Sequence, residues 1–376
     1  MHITYSNDIQ KHTYSIPVLV REMTEPVYRS CFEKLADFEL STVNKIVITG
    51  CGYSYAAALA VKDYLIELTN LPIVVLPAIE ASRFSHACAG SYDGTLFIAI
   101  SNSGSVSRIN EAAALYKKNG AIVIGLTANP DGDLKNHSDY LLDTSSPSIG
   151  RSLPLRGYAM TLLTLLAIGQ TLYLKKSNQS LSAINTHIKD FCSSMYQLED
   201  SMATIDHSVL QYVMDHKDIR SFEFVGSGFE RAAAFLGKIE MMGQAGLLAS
   251  DEDSEQWCHC NFFISHPEQI GTVIFLAKNS PAASRAREAL SYMIHLKRPV
   301  LVVTDDDEIT STSEQHVIHL PRITTLNAGL FEMTVPSFLT GYVCELIGET
   351  YSRGFRDQWA VFKDGSGTCK SEIIIQ

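Results

Sequence analysis

The chain has 376 residues, of which 46% are apolar and 19% charged, and its formal net charge at pH 7 is −11. This length is comfortable for two domains, each with a core of its own. We do not expect such a chain to bind nucleic acid or an anionic membrane, because both partners require clustered Lys and Arg. Neither a signal peptide nor an uninterrupted apolar run of about 18 residues is visible, so we expect no membrane span.

The eight cysteines are scattered through apolar or helical contexts along the chain. A small disulfide-bonded scaffold would instead concentrate its cysteines in a short sequence. We therefore expect reduced thiols and a cytoplasmic protein.

The first half of the chain alternates apolar runs with helical patterns. Residues 1–44 predict a helical leader, and a short segment at 140–143 predicts an edge strand. Four apolar runs follow the leader, each ending in small or turn residues, at 45–50, 73–78, 95–101 and 121–128. Near-continuous Val, Ile and Leu runs separated by helices are typical of a parallel sheet that is covered on both faces.

The second half repeats this order after a helical region without strands at 157–216, in which two or three long helices are predicted. Its strands are predicted at 221–226, 246–250, 272–278, 299–305 and 316–321, and its helices at 229–243, 281–296 and 335–351. We divide the chain into a leader (1–44), a first lobe (45–180), a helical connector (181–216), a second lobe (217–360) and a C-terminal tail (361–376).

An internal repeat relates the two lobes. The segment GCGYSYAAALAVK, which begins at Gly50, returns as GSGFERAAAFLGK at Gly226, an offset of 176 residues. Each copy follows a short apolar run, as in a strand, glycine-rich turn and helix. The fold class predicted is therefore α/β, with two doubly wound, flavodoxin-like parallel-sheet lobes joined by helices. Only the first copy is followed by a hydroxyl-rich loop, so binding and chemistry are expected to be divided between the lobes.

Ligands of open parallel sheets bind beyond the carboxyl ends of the strands, where the first lobe places small polar residues. Gly50 and Gly52 allow a tight turn, and Ser54 follows in the first turn of a helix. The loop SNSGS at 101–105 opens another helix, whose positive N-terminus suits a phosphate. The alternative is that these serines merely cap the helix.

Two cofactor sites are disfavoured by the spacing of the residues. The turn at Gly50 lacks the third glycine of a dinucleotide-binding fingerprint, and no acidic residue ends the second strand, although Glu80 is close. Cys258, His259 and Cys260 lack the paired spacing of a zinc site. We expect neither a cofactor nor a metal.

These residues resemble the sugar isomerase (SIS) family of phosphosugar-binding domains, in the stretch GCGYSYAAA, the SNSG loop, the strand order and the tandem arrangement. The resemblance covers roughly residues 45–376. Among tandem SIS proteins, the chain is similar to the isomerase half of glutamine–fructose-6-phosphate amidotransferase and to related sugar-phosphate deaminases and fructosamine-type deglycases. The chain opens with Met-His rather than with a cysteine nucleophile, so we do not expect a glutaminase or ammonia-channelling activity.

The resemblance implies a set of phosphate-binding residues in the first lobe. They are Gly52, Ser54, Ser101, Asn102 and Ser103, with Ser107 in place of a threonine that the family usually carries. The sequence departs from the family pattern after Gly104, where Ser105 and Val106 replace Glu-Thr or Asn-Thr.

The resemblance assigns the acid–base groups to the second lobe. Glu240 is similar to the family glutamate that moves a proton between C1 and C2 of the sugar, and its apolar neighbours favour this role over that of a solvated helix residue. His259 resembles the histidine that opens the sugar ring, which in the family comes from a neighbouring subunit and implies a homodimer. Glu255 is the reserve acid or base. The interval from Glu240 to His259 is longer than in the family, and the alternative is a structural histidine in a strand.

The tail resembles the closing segment of the family, in which a lysine approaches the open-chain carbonyl. Lys370 matches that lysine, a role that requires an amine of lowered pKa. A lone lysine near a C-terminus is otherwise simply solvated.

The function expected is metal-free proton transfer between C1 and C2 of an amino- or keto-hexose 6-phosphate. It ends as isomerisation, deamination or release of an amine from a fructosamine 6-phosphate. The alternative is a non-catalytic sugar-phosphate sensor, although residues 1–44 are too short and too poorly charged for an attached DNA-binding domain. A dinucleotide-dependent redox enzyme is disfavoured by the missing glycine.

Overall fold

The computed structural model describes residues 7–86, 90–150, 153–351, 353, 357–359, 368 and 371–375. The chain forms two compact units, which are called lobe one and lobe two below. Lobe one comprises Leu19–Cys192 with Val361–Gln376, and lobe two comprises Met1–Val18 with Ser193–Ala360.

Lobe one is built on a parallel sheet in the order β2-β1-β3-β4-β5. Its strands are β1 (Lys45–Gly50), β2 (Ile73–Pro77), β3 (Thr95–Ile100), β4 (Ile122–Thr127) and β5 (Tyr140–Asp143). Its helices are α2 (Ile16–Lys34, which begins in lobe two), α3 (Tyr53–Thr69), α4 (Ala78–Arg83), α5 (Ser107–Lys118) and α6 (Pro154–Lys176). The predicted edge strand at 140–143 is confirmed.

Lobe two has a second parallel sheet, in the order β10-β9-β8-β6-β7. Its strands are β6 (Ser221–Val225), β7 (Leu248–Glu252), β8 (Ile270–Leu276), β9 (Val300–Thr304) and β10 (Gln315–His319). Its helices are α1 (Asp8–Tyr14), α8 (Arg231–Glu240), α9 (Ser254–His259), α10 (Ala283–His295), α11 (Ala328–Phe331) and α12 (Thr334–Ile347). Helix α7 (Ile184–Asp215) has its first residues in lobe one and the remainder in lobe two.

The strands form where the apolar runs were predicted, because a parallel strand covered on both faces is apolar along its whole length. All six residues of the central strand β3 are buried. On one face of the sheet, Phe97 of β3 stacks on Tyr116 of α5 with ring centroids 3.8 Å apart. Two parallel-sheet lobes with flanking helices confirm the predicted fold class.

The offset of 176 residues holds well beyond the glycine-rich segment. Moved by this offset, β3 falls on residues 271–276 of β8, and α5 falls on residues 283–294 of α10. The edge strand β5 falls on 316–319 of β10 in the same way. The two lobes therefore share one topology and one residue register. They differ after the glycine-rich turn, where α3 is continuous but α8 gives way to a π-helical turn at Met241–Ala245.

Two segments are long and apolar enough to cross a membrane, contrary to the expectation that the sequence has none. They are Pro154–Lys176, with a mean hydropathy of 1.3, and Ala328–Ile347, with 1.2. Their most apolar windows are 89% and 83% buried within the protein. Such burial is typical of core helices, which need an apolar surface all round.

Candidate functional site

A cavity of about 620 Å³ lies at the carboxyl ends of the strands of lobe one. Its polar lining consists of Cys51, Gly52, Tyr53, Ser54, Ser101, Asn102, Ser103, Thr144, Ser145, Ser146, Tyr158 and Thr161. Five of the six residues predicted to bind phosphate therefore line one cavity. Ser107, the sixth, is the buried first residue of α5 and is not part of this lining.

The glycine-rich turn brings Ser54 to the cavity for steric reasons. A Cβ atom on Gly50 would lie 2.7 Å from the backbone of Ser54, closer than real Cβ contacts allow. Gly52 has a φ of +54°, a conformation that favours glycine, and it is the N-terminal cap of α3. Without these two glycines, β1 could not turn so sharply into α3.

Three helices begin at residues that line or adjoin the cavity. Helix α3 begins at Tyr53, α5 begins at Ser107 next to the lining residue Val106, and α6 begins at Pro154. None of the three has an acidic residue in its first turn. The N-terminal ends of helices carry partial positive charge, so this arrangement favours an anion without any charged side chain in the lining.

The hydroxyl-rich loop after β3 is not a helix cap. The N-terminal cap of α5 is Val106, and no side chain makes a capping hydrogen bond there. Ser101 is 2% exposed, and its hydroxyl has no hydrogen-bond partner among the described residues. A buried hydroxyl without a partner is costly, and a ligand oxygen in the cavity would satisfy it. The capping alternative therefore does not account for this loop.

In lobe two, Glu240 is the last residue of α8 and is 1% exposed. The hydroxyl of Ser337, on α12, donates a hydrogen bond of 3.0 Å to one carboxyl oxygen. The other oxygen has no partner among the described residues. Burial raises the pKa of Glu240 to about 8, although the Ser337 hydrogen bond opposes the shift. A carboxyl group of this pKa exchanges a proton near neutral pH.

His259 lies on a different surface of lobe two, at the end of α9, with 66% of its side chain exposed. Its Nε2 atom is 3.0 Å from Glu255, which also receives two hydrogen bonds of 2.6 Å from Arg285. The Arg285 and His259 hydrogen bonds lower the pKa of Glu255 to about 2. Glu255 is therefore a carboxylate at neutral pH that orients His259 rather than a ready proton donor.

Helix α9 is anchored beneath His259 by a buried network. Trp257 is fully buried, and its indole N–H donates to Glu223 of β6. Arg298 completes the network with a 2.8 Å ion pair to the same carboxylate. The side chain of Asp253 caps the helix by accepting from two backbone amides at 2.8 Å. His259 and Glu240 share no hydrogen-bond partner among the described residues.

Lys370 lies outside the described residues, but the segment that follows it is described and contacts lobe one. The backbone N–H of Ile374 donates to the buried Glu111 at 2.7 Å. Glu111 is also paired with Arg83 and Arg108, and both arginines donate to the carbonyl of Glu372. We call Arg83, Arg108 and Glu111 the tail clamp. The spacing of Arg108 and Glu111 on one helix was its only signal in the sequence.

Comparison with known proteins gives the chain its relatives. Residues 39–174 match the SIS domain family. The glutamine–fructose-6-phosphate aminotransferase [isomerizing] of Thermotoga maritima is 26% identical over 304 residues, which are 78% of this chain and 48% of that protein. The chain thus spans about half the length of this relative. Within the described residues, no group of three or more His, Cys, Asp or Glu is arranged to hold a metal ion.

Two solved structures share the fold. The C-terminal domain of glucosamine-fructose-6-phosphate aminotransferase from Francisella tularensis superposes with a TM-score of 0.78 at 16% identity, covering 93% of this chain and 99% of that one. Tagatose-6-phosphate ketose/aldose isomerase from Escherichia coli superposes with a TM-score of 0.71 at 16% identity, covering 92% and 95%. The chain therefore contains a SIS domain and is homologous to the isomerase domain of the glutamine–fructose-6-phosphate aminotransferases.

Proposed function

We propose that the protein is a phosphosugar isomerase-type enzyme that binds an amino- or keto-hexose 6-phosphate with its phosphate group in the cavity of lobe one. The observation that carries this proposal is the convergence of three helix N-termini on a cavity that contains the unpartnered hydroxyl of Ser101. Phosphate oxygens accept hydrogen bonds from such hydroxyls and from helix amides. A volume of about 620 Å³ lies within the usual range for small-molecule sites.

The reaction we propose is proton transfer between neighbouring carbons of the open-chain sugar. A base removes the proton from the carbon next to the carbonyl, and the electron pair moves to the carbonyl oxygen to give an enediol. Return of the proton to the former carbonyl carbon completes an aldose–ketose isomerisation. With an amino substituent, the corresponding enolamine loses ammonia or an amine after addition of water. Glu240 is the proposed base, because a pKa of about 8 suits reversible transfer.

His259 and Lys370 complete the proposal. The exposed imidazole of His259 is held by Glu255 and is proposed to open the sugar ring of a substrate in a partner subunit. Lys370 is proposed to approach the open-chain carbonyl. An exposed group that serves a neighbouring active site requires a homodimer with shared sites.

A binding and turnover panel tests the proposal. We expect glucosamine 6-phosphate, fructose 6-phosphate or a fructosyl-amine 6-phosphate to raise the melting temperature, whereas the unphosphorylated sugars do not. The same compounds are then assayed for aldose–ketose conversion and for release of ammonia or amine. Turnover supports the enzyme. Selective binding with no turnover of any of them assigns the protein as a sugar-phosphate sensor instead, and a panel without binding contradicts both functions.

Mixing two inactive variants tests the shared site. In a dimer of His259→Ala and Glu240→Gln chains, one site would combine a native glutamate with a native histidine. Random mixing then restores about a quarter of the wild-type turnover, since half of the dimers are mixed and each has one intact site. An active monomer in light scattering, or no recovery on mixing two folded variants, contradicts the role of His259 in a partner's site.

A further inference from the structure

The common register of the two lobes identifies the residues of lobe two that correspond to the phosphate site of lobe one. The offset of 176 residues places Glu230 at the position of Ser54. It places the segment 277–280, which follows β8, at the position of the loop 101–104, which follows β3. A carboxyl group thus replaces the hydroxyl at the turn, and the loop Ser-Asn-Ser-Gly becomes Ala-Lys-Asn-Ser.

The carboxyl group of Glu230 is bonded to this loop. Glu230 is 1% exposed, and one of its oxygens accepts from the backbone N–H of Ala277. The other oxygen accepts from the hydroxyl of Ser280 at 3.2 Å, and the backbone of Ser227 in the glycine-rich turn gives a further hydrogen bond. Glu230 therefore links the turn after β6 to the loop after β8, as a ligand would link the corresponding segments of lobe one.

A second backbone donor of the same loop is also occupied by a carboxylate. The N–H of Lys278, at the position of Asn102, donates to Asp305 at 2.6 Å. In lobe one, Asn102 and Ser103 are exposed and line the cavity. The loop of lobe two thus directs its donors to side chains of its own lobe.

A third acidic group lies close to Glu230. Glu332 has 0% of its surface exposed, and neither of its carboxyl oxygens has a hydrogen-bond partner among the described residues. Burial raises the pKa of Glu332 well above its usual value, and the charges of Glu230 and Asp305 raise it further. Acidic groups this close would repel a phosphate, which carries one to two negative charges at neutral pH.

We propose that lobe two contains a closed counterpart of the phosphate site, in which the carboxyl group of Glu230 fills from within the position that a sugar phosphate occupies in lobe one. Each chain then binds one sugar phosphate, although it contains two SIS-type lobes. The proposal rests on the proposed function of lobe one. It adds that the residue at the position of Ser54 and Glu230 decides whether the edge of such a lobe is open to a phosphate.

Counting bound phosphate tests the proposal. Isothermal titration calorimetry with glucosamine 6-phosphate and with inorganic phosphate is performed on the wild type, on Ser101→Ala/Ser103→Ala and on Glu230→Ser/Glu332→Gln. We expect one equivalent per wild-type chain, loss of binding in the lobe-one variant, and a second equivalent in the lobe-two variant. Glu230→Gln, which keeps the shape and the acceptor oxygen, is the matched control and should stay at one equivalent.

The outcomes separate this proposal from the function of lobe one. Two equivalents in the wild type, or one remaining equivalent in the lobe-one variant, overturn the closed site while leaving a sugar-phosphate protein. No binding in the wild type contradicts the function of lobe one. A folded Glu230→Ser/Glu332→Gln variant that gains no binding also overturns the closed site.

Hydrogen exchange of the wild type provides a test that does not depend on the folding of a variant. The peptides that contain 226–232 and 276–282 should be protected before ligand is added and should not change with glucosamine 6-phosphate. The peptides that contain 50–55 and 100–106 should gain protection, because only a ligand links them. Protection of the lobe-two peptides that appears only with ligand would overturn the proposal.

Discussion

At the carboxyl edge of lobe one, hydroxyl groups line a cavity, whereas at the same edge of lobe two carboxyl groups fill the interior. The strand order and the residue register are the same in both lobes. The difference comes from a few side chains, above all from Ser54 and its counterpart Glu230. The comparison teaches that a repeated fold provides positions, and that the side chains at those positions decide which copy is open to a ligand.

The two edges also differ in how their segments are held. In lobe two, the Glu230 hydrogen bonds join the turn and the loop in the absence of any ligand. In lobe one, the hydroxyl of Ser101 has no partner among the described residues. A lobe with permanent links is preorganised and can support chemistry, while a lobe with unsatisfied donors gains stability when it binds.

The largest expected effect comes from Glu240, the proposed base of lobe two. Glu240→Gln preserves the size of the side chain and its Ser337 contact but removes the exchangeable proton. We expect kcat to fall by about 100- to 10,000-fold, the usual contribution of a general acid–base group, while sugar-phosphate binding is retained. Ser337→Ala is the matched control: it leaves the carboxyl group in place and should shift the pH profile of kcat upward, because it removes a hydrogen bond that lowers the pKa. Full turnover in Glu240→Gln would leave this residue a structural role only.

A charge placed at matched positions tests the division between the lobes. Ser103→Asp puts a carboxylate into the cavity of lobe one, and Asn279→Asp puts one at the corresponding exposed position of lobe two. Juxtaposed like charges cost several kcal/mol, so Ser103→Asp should weaken phosphate binding by at least about 100-fold. Asn279→Asp should leave the dissociation constant unchanged in calorimetry. Equal losses in both variants would contradict the assignment of the phosphate to lobe one alone.

A smaller effect is expected at the tail clamp of lobe one. Arg108→Ala removes one arginine that holds both Glu111 and the carbonyl of Glu372. Release of residues 371–375 would displace the adjoining Lys370, and such misplacement should lower kcat roughly tenfold. The C-terminus should become more sensitive to proteolysis at the same time. The control is Lys117→Ala on the same helix, which removes only a surface ion pair of 3.0 Å with Asp139. If proteolysis increases and kcat does not change, the tail has no part in turnover.

The sequence was sufficient for the sheets and for the open site because both depend on local signals. Buried parallel strands are apolar throughout, and Gly50 and Gly52 mark the turn that brings Ser54 to the cavity. The prediction that Ser101, Asn102 and Ser103 lie with Ser54 followed from the common edge at which parallel strands end. The assignment of roles to Glu240, His259 and Lys370 stays a prediction.

Other features depend on contacts between residues far apart in the chain, which a single sequence does not reveal. Glu111 and Ile374 of the tail clamp are separated by 263 positions. Glu230 was visible only as one letter of a repeated motif, and its acceptor role needs the loop after β8. The alternating Cys258, His259 and Cys260 were compatible with a strand, but the capping side chain of Asp253 and the buried Trp257 hold them in helix α9 instead.

The smallest effect concerns stability, and it should be confined to lobe two. Burial raises the pKa of Glu240 and of Glu230 to about 8, against an ordinary value of 4.5, and raises the pKa of Glu332 further. A group whose pKa is higher in the folded state contributes stability that is complete below pH 4.5 and is lost as the pH rises through its folded value. The melting temperature of lobe two should therefore fall between pH 5 and pH 9, as followed by scanning calorimetry or by hydrogen exchange of peptides from each lobe.

The variant Glu240→Gln sharpens this test, because an amide cannot ionise. Its melting temperature relative to that of the wild type should be higher at pH 9 than at pH 5, where the wild-type carboxyl group is already neutral. Peptides of lobe one should show no such difference between the two proteins. If the gap in melting temperature is the same at both pH values, Glu240 is ionised throughout, and neither the raised pKa nor a proton shuttle that depends on it would hold.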